Sequence, residues 1–75
     1  MKSNEQLYSK IFYPKEVLNL AINDYRKIAK IRLREEAEHY RCEFCRCAVD
    51  TRLVMNEFNN YLIELLNSKG ERSGI

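Results

Sequence analysis

Little in this chain offers chemistry. Its 75 residues include one histidine, one proline, two glycines and three cysteines. No uninterrupted apolar run exceeds a few residues, which excludes a membrane-spanning helix, since that needs about 20. An odd number of cysteines cannot all pair within the chain. The opening MKSNEQ lacks the basic-then-apolar layout of a secretory signal. Both features point to a cytoplasmic protein with reduced thiols and no membrane partner. The net charge of +2 is too small to imply polyanion binding by itself. Internal repeats and low-complexity segments are also missing. The length leaves no room for a second core or a deep catalytic cleft. A chain this short buries only about 60–65% of its unfolded surface, so a partner chain would add to a thin stability margin.

What is present reads as a folded globular domain, with 45% hydrophobic and 32% charged residues. The clearest pattern runs from Asp50 to Leu66. There Val54, Phe58, Tyr61, Leu62 and Leu65 recur at three- and four-residue steps, which places them on one stripe of a helix. Asp50 is a good N-cap, and Gly70 is positioned to end the helix after Lys69. Upstream, Leu7–Tyr13 is rich in aromatic and β-branched side chains and predicts a first strand. Pro14 stops it and opens a helix to about Lys27, with Val17, Leu18, Ala21, Ile22 and Tyr25 on its apolar side. Glu16 in its first turn and Arg26 and Lys27 in its last match the helix dipole.

Strict alternation follows. Ala29, Ile31 and Leu33 face one way and Lys30, Arg32 and Arg34 the other, as in a strand with one buried face. The cluster Glu35–Glu38 reads as a hairpin connection. A third strand runs from His39 to Val49, with Tyr40, Cys42 and Phe44 on one face and Arg41, Glu43, Cys45 and Cys47 on the other. Burial of Cys47 and Val49 would require a β-bulge near Cys45. The fold class is therefore α+β, a β-α-β-β-α two-layer sandwich. It has a three-stranded mixed sheet, strands one and two parallel through a right-handed crossover, and both helices on one face. Residues 7–69 form the single domain, and 1–6 and 70–75 are expected to be flexible termini.

Three constellations bear on function. Cys42-x-x-Cys45-x-Cys47 has the look of a zinc knuckle, but on a strand Cys42 and Cys45 fall roughly 10 Å apart on opposite faces. Only His39 is available as a fourth ligand, so structural thiols are the expectation, with no metal and no cofactor. The basic stripe Lys30, Arg32, Arg34 and Arg41 on the bare sheet face could track phosphates, with Tyr8 or Phe12 stacking bases. The competing explanation is a solvated or protein-binding face whose cations pair with Glu43 and the hairpin acids. On the second helix, Leu53, Met55, Ile63 and Leu66 widen the apolar face beyond one stripe and are candidate protein contacts. Asn56, Asn59 and Asn60 leave the remaining surface uncharged, as in an interface, and a homodimer is one form such contact would take. His39 has no nucleophile beside it, and Glu16, Glu57 and Glu64 form no acid–base pair, so no enzyme is expected.

Two segments resemble a known family. Ile11-Phe12-Tyr13-Pro14-Lys15-Glu16-Val17-Leu18, with Ala21 and Tyr25 following, is similar to the opening strand and helix of the HxsD family, the small D component of the bacterial His-Xaa-Ser system. Glu57-Phe58-Asn59-Asn60-Tyr61-Leu62 looks like that family's closing-helix motif. The resemblance implies an accessory role in maturing a ribosomally made peptide, alongside a radical-SAM-type enzyme and a substrate with His-Xaa-Ser repeats. This chain holds no such triplet and no iron–sulfur cluster motif, which leaves a module that binds peptide or enzyme. Two function classes thus stand: a non-enzymatic protein- or peptide-binding accessory module, and a small RNA-binding domain using the basic open face.

Overall fold

The computed structural model describes residues 4–73 and has the element order β1 (Glu5–Ser9), α1 (Lys15–Asp24), β2 (Ala29–Glu35), β3 (His39–Cys47) and α2 (Thr51–Ser73). The chain is an α+β two-layer fold with both helices over one face of a three-stranded sheet. The spatial order is β1-β3-β2, and both pairings are antiparallel. This corrects the expected mixed sheet. Strands β1 and β2 do run in the same direction, but β3 folds back between them, so the crossover through α1 skips one strand position and no parallel pair forms. Pairing β1 to the open side of the β2–β3 hairpin gives its backbone a partner without a parallel ladder.

The core is one cluster. Tyr8, Ala29, Ile31, Tyr40, Cys42 and Phe44 line the inner face of the sheet, and Val17, Leu18, Ala21, Val54, Met55, Phe58 and Leu62 come down from the helices. Apart from Tyr8 and Met55, which the sequence places on the open face and on an outer helix face, these are the alternating and helical positions the sequence predicts, with Tyr61 and Leu65 packed at the margin. Asp50 caps α2, its carboxylate accepting from the Arg52 N–H at 2.8 Å while its carbonyl takes the Val54 N–H at 3.0 Å. Tyr61 donates to Asp24, tying α2 to the end of α1.

Several element boundaries differ from expectation, each for a reason of pairing. β1 covers Glu5–Ser9 instead of Leu7–Tyr13, because its partner β3 begins at His39, opposite Ser9. Only one further bond, Lys10 N–H to the Glu38 carbonyl at 3.1 Å, extends the ladder. Ile11 and Phe12 then sit in a turn closed onto the Ser9 carbonyl and are 86% and 69% exposed. α1 is shorter than the Pro14–Lys27 expectation. Pro14 serves as its N-cap, and Arg26 and Lys27 lie in the turn beyond its end, where the Ile28 and Ala29 N–H groups both donate to the Tyr25 carbonyl at 2.8 Å. β3 ends at Cys47, leaving Val49 exposed. α2 passes through Gly70 to Ser73; a glycine weakens a helix by about 1 kcal/mol without having to end it. Of the termini expected to be flexible, residues 5 and 6 belong to β1 and residues 70–73 to α2, and residues 1–3 and 74–75 lie outside the described part.

Replacing Phe58 by alanine is expected to lower stability by about 3–5 kcal/mol in urea denaturation, or to abolish the cooperative transition. Leu53→Ala, on the outer face of the same helix, should change it by less than about 0.5 kcal/mol. Equal effects at the two positions would show that α2 packs by another face.

Candidate functional site

The face of the sheet away from the helices carries the charged side chains of all three strands except Glu35, which shares the inward row of Tyr40 and meets Lys15 of α1. Register sets its rows. Arg32 stands opposite Glu43, which is opposite Glu5; Arg34 stands opposite Arg41, which is opposite Leu7; and His39 is opposite Ser9. The sequence-predicted cations Lys30, Arg32, Arg34 and Arg41 are thus brought together on one surface. Arg41 is nevertheless committed internally. Its guanidinium donates to Glu36 through Nε at 2.7 Å and Nη2 at 3.4 Å, and to Glu5 through Nη1 at 3.0 Å. These bonds hold the Glu36 carboxyl below its ordinary range and raise Arg41. Lys10 and Lys15 share Glu35 at 2.9 and 3.3 Å, which lowers that carboxyl too. Among the described residues, no ion pair involves Lys30, Arg32 or Arg34.

One cation of this surface escaped the sequence pattern. Lys30 pairs with Arg46 and Ile31 with Phe44, so β3 carries one extra residue, Cys45, between two consecutive residues of β2. This is the bulge expected near Cys45. Past it the phase reverses: Cys47 turns inward to pack on the core opposite Ala29, and Arg46 turns outward beside Lys30. Plain alternation would have buried Arg46. Shifting the phase by one at the anticipated bulge would have found it.

The aromatics expected beside the basic stripe are elsewhere. Tyr8 is buried on the helix side of the sheet, donating its hydroxyl to Asn59 Oδ1 at 2.6 Å and meeting Tyr13 edge-on at 5.0 Å. Phe12 is in the β1–α1 turn. β1 contributes Leu7 to the open face instead, so the stripe has no base-stacking platform from that strand. Of the candidate contacts on α2, Leu53 and Ile63 are 51% and 48% exposed and can meet a partner. Met55 is only 5% exposed and belongs to the core, and Leu66 packs against the core's edge. Both were expected on an outer face because α2 is covered by α1 as well as by β3, which widens its buried arc.

The three thiols occupy three environments. Cys42 is in the core, Cys45 is exposed on the bulge, and Cys47 is half-buried. Among the described residues, no group of three His, Cys, Asp or Glu side chains is placed to hold a metal ion, and no helix is long and apolar enough to cross a membrane. No protein-family model, curated protein or solved structure matches the chain.

Burial pushes the Cys42 thiol from an ordinary 9.0 up to about 12 and raises the Tyr8 hydroxyl as well. Well below pH 9 the thiol is neutral folded or unfolded. Above that the unfolded chain ionises first, so stability is expected to fall as pH rises from 9 toward 12. At neutral pH a thiol reagent should modify Cys45 first and Cys42 only on unfolding, as read by mass spectrometry of timed quenches. Labelling of Cys42 as fast as Cys45 would contradict its place in the core.

Proposed function

We propose that the chain is a non-enzymatic binding module that takes an acidic, extended peptide segment along the outer edge of β2. The observation that carries this is the edge itself. β2 is seven residues long and has a single neighbour, β3. Among the described residues, the only other backbone bond it makes is from Ala29 N–H to Tyr25. An added strand would satisfy the outward N–H and C=O groups and bring its own side chains beside Lys30, Arg32 and Arg34. The charge on those residues selects acidic partners and discourages edge-to-edge pairing with other copies. The likeness of Ile11–Leu18 and Glu57–Leu62 to HxsD supports placing such a module in cytoplasmic peptide maturation, where a precursor must be presented to its modifying enzyme. Leu53 and Ile63, exposed on α2, are the candidate contacts for that enzyme.

RNA binding is less well supported. It would rest on charge alone, with Arg41 already neutralised by two carboxylates and Tyr8 in the core.

The test is a fluorescence-anisotropy titration with acidic peptides, including the leader of any His-Xaa-Ser precursor encoded beside this chain. The double variant Arg32→Glu, Arg34→Glu is expected to weaken binding by about tenfold or more, equivalent to about 1.4 kcal/mol. N-methylation of alternate peptide amides should do the same, because strand addition uses the backbone. Unchanged affinity for the N-methylated peptide would exclude strand addition. Affinity for single-stranded RNA with a steep salt dependence, alongside none for peptides, would favour the rival.

A further inference from the structure

At one end of the sheet the turn after α1 and the last residues of β3 enclose a shallow cavity of about 310 Å³. Arg26, Lys27 and Lys30 line it from one segment, and Arg46 and Cys47 from the other. No carboxylate is among the lining residues, and none of the four cations takes part in an ion pair among the described residues. The rim is fixed by backbone bonds: Ile28 and Ala29 N–H to the Tyr25 carbonyl, and Ala48 N–H to the Ile28 carbonyl at 2.7 Å.

The arrangement carries an electrostatic cost that the fold does not relieve. Lys30 and Arg46 stand directly opposite each other, and like charges at such a position are destabilising. A regular ladder would have put Cys45 across from Lys30; the bulge replaces that thiol with Arg46. At the other cation pair of this face, Arg34 opposite Arg41, the Arg41 member is neutralised by Glu5 and Glu36. At Lys30 and Arg46 neither member has a carboxylate partner among the described residues.

We propose that this cavity is an anion site for the phosphoryl group of a small phosphorylated molecule. Four cations around one cavity exceed what one carboxylate would balance, whereas a phosphate monoester brings about two negative charges and several strong acceptor oxygens. The guanidinium groups of Arg26 and Arg46 suit paired N–H donation to phosphate oxygens, and Lys27 and Lys30 supply compact positive charge. The volume lies at the small end of ligand pockets, which favours a small carrier. Half-buried Cys47 and the Ile28 side chain offer that carrier an apolar wall. The inference does not rest on strand addition, with which it shares only Ala29 and Lys30.

The experiment is an amide NMR titration of the full chain at physiological ionic strength with three probes: inorganic phosphate, pyrophosphate and a short single-stranded oligonucleotide. Saturable shifts confined to residues 26–30 and 46–48 are expected with phosphate and pyrophosphate. Arg46→Ser or Lys30→Ser should weaken pyrophosphate binding by about tenfold, while Arg34→Ser, on the same face but outside the cavity, leaves it unchanged. Shifts that never saturate, or an equal loss on Arg34→Ser, would reduce the site to general surface charge and overturn the proposal. Binding to the oligonucleotide alone would overturn it in favour of a nucleic-acid backbone.

Discussion

Phe58 is the side chain on which the separate parts of the chain converge. Its ring meets Phe44 of β3 edge-on at 5.4 Å and Tyr25, just past α1, at 5.3 Å, and lies tilted against Tyr8 of β1 at 6.4 Å. One residue of α2 thus joins β1 and the end of α1 to the central strand, two of the three contacts in the edge-to-face geometry aromatic rings favour. Tyr8 reinforces the junction by donating to Asn59, the next residue along α2. A domain this small can fill its interior once, and here the filling is aliphatic and aromatic, with no buried polar or charged residue among those described. The inside is used for stability.

That constraint explains which parts of the fold were legible from the sequence. The stripe Val54, Phe58, Leu62 and the alternation Ala29, Ile31 are local periodicities, and burial follows them directly. Asp50 at the head of α2 and the acidic hairpin between Glu35 and His39 were readable for the same reason, since cap and turn chemistry act over a few residues. β1 was not. Ile11, Phe12 and Tyr13 have the higher strand propensity, yet the strand uses Glu5 and Gln6, because only those lie opposite Glu43 and Cys42. Pairing with a segment more than thirty positions away, which no local window contains, overrode propensity. The strand order β1-β3-β2 was hidden for the same reason.

The open face divides in the same way. Lys30, Arg32 and Arg34 were visible as one side of an alternating strand. That Arg41 is tied up by Glu5 and Glu36 depends on where β1 docks, and so was not. Charge counted along the sequence treats these cations as equivalent, whereas the register commits Arg41 to Glu5 and Glu36 and leaves the other three without an ion pair among the described residues.

The extra residue at Cys45 links the two layers of the molecule. By reversing the phase of β3 it turns Cys47 toward the core opposite Ala29 and, in the same step, turns Arg46 outward opposite Lys30. Without the bulge, Arg46 would point at the helices, where an unpaired guanidinium costs several kcal/mol. Core packing at this end of the sheet and the cationic cavity above it are therefore consequences of one backbone irregularity, and neither can be changed without changing the other. The residue that leaves the core row in this way is an arginine, and the register sets it across from a lysine at the exposed end of the sheet.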